Sequence, residues 1–161
     1  MAKKVSQRQI QAEIIPVNAL TCPTFTGFIF PQISGGEITA SVEKIYEGGS
    51  RSPTVLCAPF EIGDITLTAH YDDGLTESAS LAKKLQALRS LVGKAYYNIN
   101  VKVYNCDIAV KGTDRVYANA LLVGLTEPDG DSSSGAPATF ALTFAIQTVS
   151  PGVNGTSTIG A

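Results

Sequence analysis

The 161-residue sequence contains no tryptophan, one histidine, one methionine and three cysteines. Cys22, Cys57 and Cys106 are far apart and form no Cys-x-x-Cys pair. We therefore expect free thiols in a reducing compartment, not a disulfide framework or a zinc site. Charged residues make up only 16% of the chain, with a net charge of −2. A protein that binds nucleic acid or an anionic membrane needs a basic face, so neither partner is expected.

Long hydrophobic runs are also missing. No run approaches the roughly 20 apolar residues of a membrane helix. The basic start of the chain (Met1 to Arg8) precedes no hydrophobic region of the kind that a secretory signal requires. We expect a protein that is made in a cytoplasm, is not exported by the usual route and has no membrane contact.

The sequence contains no recognisable catalytic, metal-binding or phosphate-binding motif. His70 has Asp72 nearby, but no Gly-x-Ser-x-Gly turn or catalytic cysteine motif accompanies them, and a solvated or interface histidine is the better interpretation. Asp129 and Asp131 begin a calcium-type spacing that stops at once, and residues 48–52 lack the ending of a phosphate loop. We expect no enzymatic activity, no metal and no cofactor.

Alternating apolar and polar residues are the main feature that the sequence does have. Such period-2 segments predict β-strands with one buried and one wet or partnered face. They occur at Ile10–Ile15, Glu37–Tyr46, Ile62–Tyr71, Tyr97–Val103 and Thr139–Val149. Arg115–Leu125 is apolar on both faces, which predicts a strand that is buried on both sides, either within the monomer or by a neighbouring molecule.

One helix is predicted, from Glu77 to about Val92. Leu81, Leu85, Leu88 and Val92 recur at helical spacing and should pack on a sheet, and Gly93 should end the helix. The predicted fold is mainly β: an antiparallel β-sandwich or open barrel with one packed helix (about 77–92) and a long-looped hairpin. It forms a single domain over 1–161, with a flexible N-terminal arm at 1–9 and a flexible C-terminal tail at 150–161.

The hairpin loop is the most informative segment. It runs from Glu47 to Phe60, whereas hairpins normally close with two to five residues. Its second half is apolar, and a protruding apolar loop usually docks on something. We therefore hypothesise that Val55, Leu56 and Phe60 contact a partner molecule. The alternative is that they fold back onto the chain's own sheet.

The order of these elements resembles the major tail tube proteins of long-tailed bacteriophages. The resemblance rests on the order of elements over most of the chain and on several short segments of sequence. These segments are Gly35-Gly36-Glu37-Ile38-Thr39-Ala40, Tyr46-Glu47-Gly48-Gly49, Ile65-Thr66-Leu67, the Leu81–Val92 helix and the closing Thr139–Ile146 segment. Contractile tail tubes and the type VI secretion tube protein resemble the same plan.

The resemblance implies a structural virion protein that forms hexameric rings, stacked into a hollow tail tube for genome delivery. Val55, Leu56 and Phe60 would then form the ring-stacking interface, while Glu43, Thr66 and Thr68 would face the lumen. The implied partners are the chain itself, a tape measure protein, a tail terminator and distal tail or baseplate proteins, with DNA passing through without specific binding. Assembly would take place in the host bacterial cytoplasm. The alternatives are a tail terminator or head-decoration subunit, or a type VI secretion-like tube protein.

Overall fold

The computed structural model describes residues 4–25, 28–49, 51–71, 81–104 and 110–151. The protein is mainly β, with strands over 49% of it. The described elements are a 3-10 turn (Gln7–Gln9), β1 (Ile10–Pro16), β2 (Gln32–Gly35), β3 (Ile38–Ala40), β4 (Glu43–Ile45), β5 (Thr54–Leu56), β6 (Phe60–Ile62), β7 (Ile65–His70), α1 (Leu81–Leu88), β8 (Tyr96–Tyr104), β9 (Val110–Thr126) and β10 (Thr139–Ala145).

Six strands form one antiparallel sheet in the order β1-β8-β9-β10-β7-β2. The sheet curls until its two edges meet beside β1, where Ala12 and Phe30 form an isolated antiparallel bridge. The Ala12 N–H donates to the Phe30 carbonyl at 3.2 Å, and the Phe30 N–H donates back at 2.7 Å. The predicted mainly β fold is confirmed, in its open-barrel form.

The core fills the inside of this barrel, and the predicted alternation of the strands explains why. Residues two apart on a strand share a face, and the inward set is buried on each strand. It includes Ala12 and Ile14 on β1, Ile65, Leu67 and Ala69 on β7, Tyr97, Ile99 and Val101 on β8, and Phe140, Leu142 and Phe144 on β10. Aromatic rings of Phe25, Phe28, Phe30 and Phe140 pack together at centroid distances of 5.0–6.3 Å.

Strand β9 is not buried on both sides within the single chain, and burial of its outer face by a neighbouring molecule stays a prediction. Tyr117 is buried, yet so are Ala120 and Leu122, which alternate in the opposite phase. The register shifts between Tyr97 and Ile99 of β8, opposite Asn119, whose φ is +52°. This bulge exchanges the two faces. Both the odd-numbered and the even-numbered positions of β9 contain apolar residues, because the set that points inward changes at the bulge. On the outer face, Val123 is 40% exposed.

The predicted helix is shorter than expected. Residues 77–80 lie outside the described residues, and α1 ends at Leu88 instead of Val92. The amide of Leu91 bonds to Leu88, and that of Gly93 turns to the Leu122 carbonyl of β9 at 2.6 Å. These bonds replace the helical pattern with turns. Gly93 does have a positive φ of 84°, but it closes the turn after the helix.

The predicted terminal arms are described only in part. Ser6 to Gln9 form a capped turn, and the Gln9 amide donates to the Tyr104 carbonyl at 3.1 Å. At the other end, Ser150 exchanges two backbone hydrogen bonds with Val116, both at 2.8 Å. Residues 1–3 and 152–161 lie outside the described residues, so the flexible arms stay predictions.

Candidate assembly interface

A narrow β-hairpin, residues 37–63, projects from the barrel between β2 and β7, and we call it the arm. Its base pairs β3 with β6, and its outer part pairs β4 with β5. Gly35 and Gly36 introduce it with φ values of 91° and 78°. A Cβ on Gly35 would overlap the carbonyl oxygen of Asp64, so only glycine fits this junction.

The arm corrects two expectations about the hairpin. The predicted strand Glu37–Tyr46 is divided into β3 and β4, and neither of its faces is buried. The apolar half of the predicted loop is itself paired: Val55 and Leu56 belong to β5, and Phe60 begins β6. The connection is therefore a longer hairpin, not a loop, because its apolar residues satisfy their backbone groups in a ladder.

The three predicted docking residues are exposed to solvent in the single chain. Val55 is 54% exposed, Leu56 40% and Phe60 52%. They do not fold back into the chain's own core, which removes the alternative that the sequence left open. Exposed apolar side chains on a projecting element are characteristic of a surface that meets a partner.

The arm is apolar on more than one face. At its base Ala40 is the Cα partner of Phe60, so these two share one face. Further out Glu43 faces Leu56, whereas Val55 faces Lys44 on the opposite side. Val55 and Leu56 are adjacent on one strand and point away from each other. A flat partner surface therefore cannot contact both.

The proposed lumen-facing residues fall on two different surfaces. Thr66 and Thr68 lie on the outer face of β7, since the alternate residues are the buried ones. The Thr66 hydroxyl is 3.4 Å from the hydroxyl of Thr143 on β10. Glu43 lies in the arm, outside the barrel wall. The structure brings the two threonines together and leaves Glu43 apart from them.

A polar pair on the same outer face was not found from the sequence. Lys102 on β8 donates to Glu13 on β1 at 2.7 Å, with the two side chains 21% and 26% exposed. The residues are 89 positions apart, and only the pairing of β1 with β8 brings them together. The alternation of each strand marked them as outward-facing, but nothing local marked them as partners.

Arg115 occupies the end of the barrel from which the arm leaves. Its Nε donates to the Tyr117 hydroxyl at 2.7 Å, and Nη1 donates to Asp114 at 2.5 Å. Burial lowers the pKa of Arg115, but the two hydrogen-bonded partners outweigh burial and the net pKa is raised. The guanidinium therefore stays charged and fixes Tyr117 beside the base of the arm.

The opposite end of the barrel is covered by α1. Leu81, Leu85 and Leu88 are buried against the sheet. Arg89 binds Glu127, beyond the end of β9, at 2.7 Å. Lys84 Nζ lies 5.4 Å from the centroid of the Phe25 ring. The arm and the helix therefore mark the two ends of the barrel.

The described residues contain no group of three or more His, Cys, Asp or Glu side chains that could hold a metal ion. His70 is exposed at the end of β7. Of the cysteines, Cys22 is buried and Cys57 is exposed in the arm, both as free thiols, and Cys106 lies outside the described residues. No helix in the described part of the chain has the length and apolar character to cross a membrane.

Comparison of the sequence with protein-family models and with curated proteins gives no match. Comparison of the fold with solved structures does give matches. A chain in the cryo-EM structure of the anti-feeding prophage baseplate, six-fold symmetrised, matches with a TM-score of 0.68 and 18% identity, over 92% of this chain and 95% of that one.

A chain in the sheath-tube complex of the PVC extracellular contractile injection system matches with a TM-score of 0.66 and 16% identity, over 91% of this chain and 89% of that one. The crystal structure of an Hcp protein matches with a TM-score of 0.51 and 9% identity, over 87% and 90%. At these identities the likeness shows the fold alone: the chain has a tube-protein fold found in contractile injection systems.

Proposed function

We propose that this protein is the structural subunit of a tail tube, assembling into hexameric rings that stack into a hollow conduit. One observation carries the proposal: a paired, projecting arm holds Val55, Leu56 and Phe60 in solvent, on a fold shared with chains of tube-containing particles. An arm of this kind is costly in an isolated molecule, because exposed apolar strands invite association. It is useful when association is the function.

The size of the contact fits this role. Burying all three side chains requires partner surface on both faces of the arm, because Val55 and Leu56 point to opposite sides. It then contributes on the order of several kcal/mol per subunit, less the cost of fixing a narrow hairpin. The hairpin is already paired, so less order is lost on docking than for a flexible loop. Repetition around a ring would add these contributions and make stacking cooperative.

The lumen is proposed to be lined by the outer face of β7 and β10. Thr66 and Thr68 give this face short, uncharged hydroxyl side chains, and Thr66 lies 3.4 Å from the Thr143 hydroxyl of β10. A basic lining would hold DNA through its phosphates. We propose that DNA passes without specific binding and that Glu43, on the arm, faces the lumen where rings meet.

The proposed role is structural, with no catalytic step, no cofactor and no membrane contact. The proposed partners are further copies of the chain, a tape measure protein inside the tube, a tail terminator at one end and distal tail or baseplate proteins at the other. Assembly would take place in the bacterial cytoplasm, and the product would be the tail of a virion.

The test is to shorten the arm without touching the barrel. Replacing Lys44–Val55 with Asn-Gly keeps the Glu43–Leu56 pair and closes the hairpin with a two-residue turn. Because the described residues of this range are almost all exposed, thermal unfolding should stay nearly unchanged. Electron microscopy of the concentrated protein should show tubes for the unaltered chain and none for the shortened one.

A control variant adds charge elsewhere: Ser132→Asp lies in the exposed loop before β10 and should assemble normally. Tubes from the shortened chain would refute the role of the arm. Failure of the unaltered chain to form rings or tubes at any concentration would refute the proposed function.

The second candidate is the tube of a contractile injection system that carries no genome. The structural neighbours favour it, since they come from the anti-feeding prophage and the PVC extracellular contractile injection system. Both candidates predict tubes. Immunogold labelling with an antibody to this chain separates them: label on the tail of a DNA-filled particle supports the first, and label on headless particles supports the second.

A further inference from the structure

The exposed large hydrophobic side chains of the described residues fall into two groups. There are thirteen of them, and seven lie in the arm: Ile38, Val42, Ile45, Tyr46, Val55, Leu56 and Phe60. Five more lie on β1, β8 and β9 or in the chain that directly follows β1, and we call them the apolar patch: Ile15, Val17, Leu20, Tyr96 and Val123. Only Val5 belongs to neither group.

The apolar patch is held together by β1, β8 and β9. Ile15 is an outward-facing residue next to the end of β1, and the Val17 N–H donates to the Tyr96 carbonyl at 3.1 Å. Tyr96 is the Cα partner of Leu121, two residues before Val123. Leu20, on the loop that follows β1, is 97% exposed. Its backbone is fixed by the Asn18 side chain, which accepts from the Leu20 N–H at 3.1 Å.

The arm and the apolar patch lie at opposite ends of the barrel. The base of the arm lies beside Tyr117, because a Cβ on Gly36 would be 3.0 Å from the Tyr117 hydroxyl. The patch lies further along β9, where Tyr96 pairs with Leu121. The helix segment contacts β9 at this end: the Gly93 N–H donates to the Leu122 carbonyl, and Arg89 binds Glu127 just beyond the strand. A single chain therefore cannot satisfy its own patch with its own arm.

The two surfaces also carry opposite charge. Residues 37–63 contain four glutamates and two basic residues, which gives 2 − 4 = −2. Residues 81–95, which form the helix end beside the apolar patch, contain four basic residues and no acidic one; Glu127 neutralises Arg89, and the surface stays positively charged through the other three. Lys94 directly precedes Ala95 and Tyr96, and it is exposed. Complementary charge of this kind directs one surface towards the other and disfavours contact between two like surfaces.

We propose that the arm of one copy docks on the apolar patch of a second copy, in a head-to-tail contact. The inference rests on the proposed tube function and names the surface that receives the arm. A head-to-tail contact uses two different surfaces, so each bound copy presents a fresh arm or a fresh patch and the assembly continues. An arm-to-arm contact would close after two copies and would bring two negatively charged hairpins together.

The experiment uses three single variants of the full chain that each add one negative charge. Leu20→Asp alters the apolar patch, Phe60→Asp alters the arm, and Ser132→Asp is the control. All three side chains are exposed, so circular dichroism and thermal unfolding should match the unaltered protein. Leu20→Asp and Phe60→Asp should each raise the concentration needed for tube formation by at least about tenfold. Ser132→Asp should leave it unchanged.

Mixing the variants identifies the contact. Leu20→Asp retains a normal arm and Phe60→Asp retains a normal patch, so separately purified samples should form one arm-to-patch contact when mixed. Sedimentation and electron microscopy should then show paired particles that do not extend. Tubes of Leu20→Asp at the normal concentration would overturn this inference and leave the tube function standing. Absence of tubes from the unaltered protein would overturn both.

Discussion

The hydroxyl of Tyr97 donates a 2.8 Å hydrogen bond to the carbonyl oxygen of Pro23. The ring is fully buried between Phe25 and Phe144, at centroid distances of 6.3 and 5.9 Å. The donor for the Pro23 carbonyl is therefore a side chain 74 positions away in the sequence. This bond fastens the loop after β1 to the core.

Tyr97→Phe should therefore destabilise the protein by about 1–3 kcal/mol, because the ring is kept but a partly buried carbonyl loses its donor. Tyr96→Phe is the matched control, since Tyr96 is 42% exposed and should change the free energy of unfolding little. Urea unfolding of the two variants measures the difference. Equal stability would show that water replaces the phenol at Pro23.

The same residue predicts sensitivity to alkaline pH. Burial, with a smaller effect of Cys22, raises the pKa of Tyr97 above its ordinary value of 10.0. The folded protein holds this proton more tightly than the unfolded chain does. The resulting stability is fully present below about pH 10 and falls as pH rises from there towards the folded pKa. Tyr97→Phe should remove part of that fall between pH 10 and 11.5, as followed by urea midpoints.

Phe30 and Phe60 are a matched pair of aromatic residues. Phe30 is fully buried and packs on Phe25, Phe28 and Phe140, whereas Phe60 is 52% exposed in the arm. Phe30→Ala should cost about 3–5 kcal/mol of folding free energy. Phe60→Ala should stay within about 0.5 kcal/mol. A large loss from Phe60→Ala in the unassembled protein would mean that the arm contributes to the core.

Asn119 sits at the bulge of β9 with φ of +52°, and its N–H donates to the Asn98 side chain at 3.1 Å. Asparagine tolerates this conformation and a β-branched residue does not. Asn119→Gly should therefore be nearly neutral, while Asn119→Val should lose about 1–3 kcal/mol. Denaturant unfolding of the pair tests the assignment, and equal stability would place the bulge elsewhere.

Much of the barrel could be predicted because each strand carries its own pattern. β1, β7 and β10 show the buried alternation that the sequence indicates, since each has a single inward phase. β8 shows it as far as Val101, and the register shifts that follow bury Tyr104 in the opposite phase. β9 could not be assigned, because its phase depends on a bulge set by Asn119 and by the pairing with β8. Local alternation carries no information on such a shift.

The candidate interface was predicted in part for a similar reason. Val55, Leu56 and Phe60 stood out because apolar residues in a long connection are locally anomalous. Their pairing into β5 and β6 was missed, since a three-residue strand has too few alternations to detect. Whether they form the ring-stacking contact, and whether Glu43, Thr66 and Thr68 face a lumen, stay predictions that require assembled material.

The arm leaves the barrel at the end where Arg115 fixes Tyr117, and the helix covers the other. In the proposed head-to-tail assembly a filament would be polar: one terminus would expose unused arms and the other would expose unused apolar patches. The two termini would differ in shape and in charge, so a factor that binds one would not fit the other. Length control would then act at one terminus while the other stays anchored.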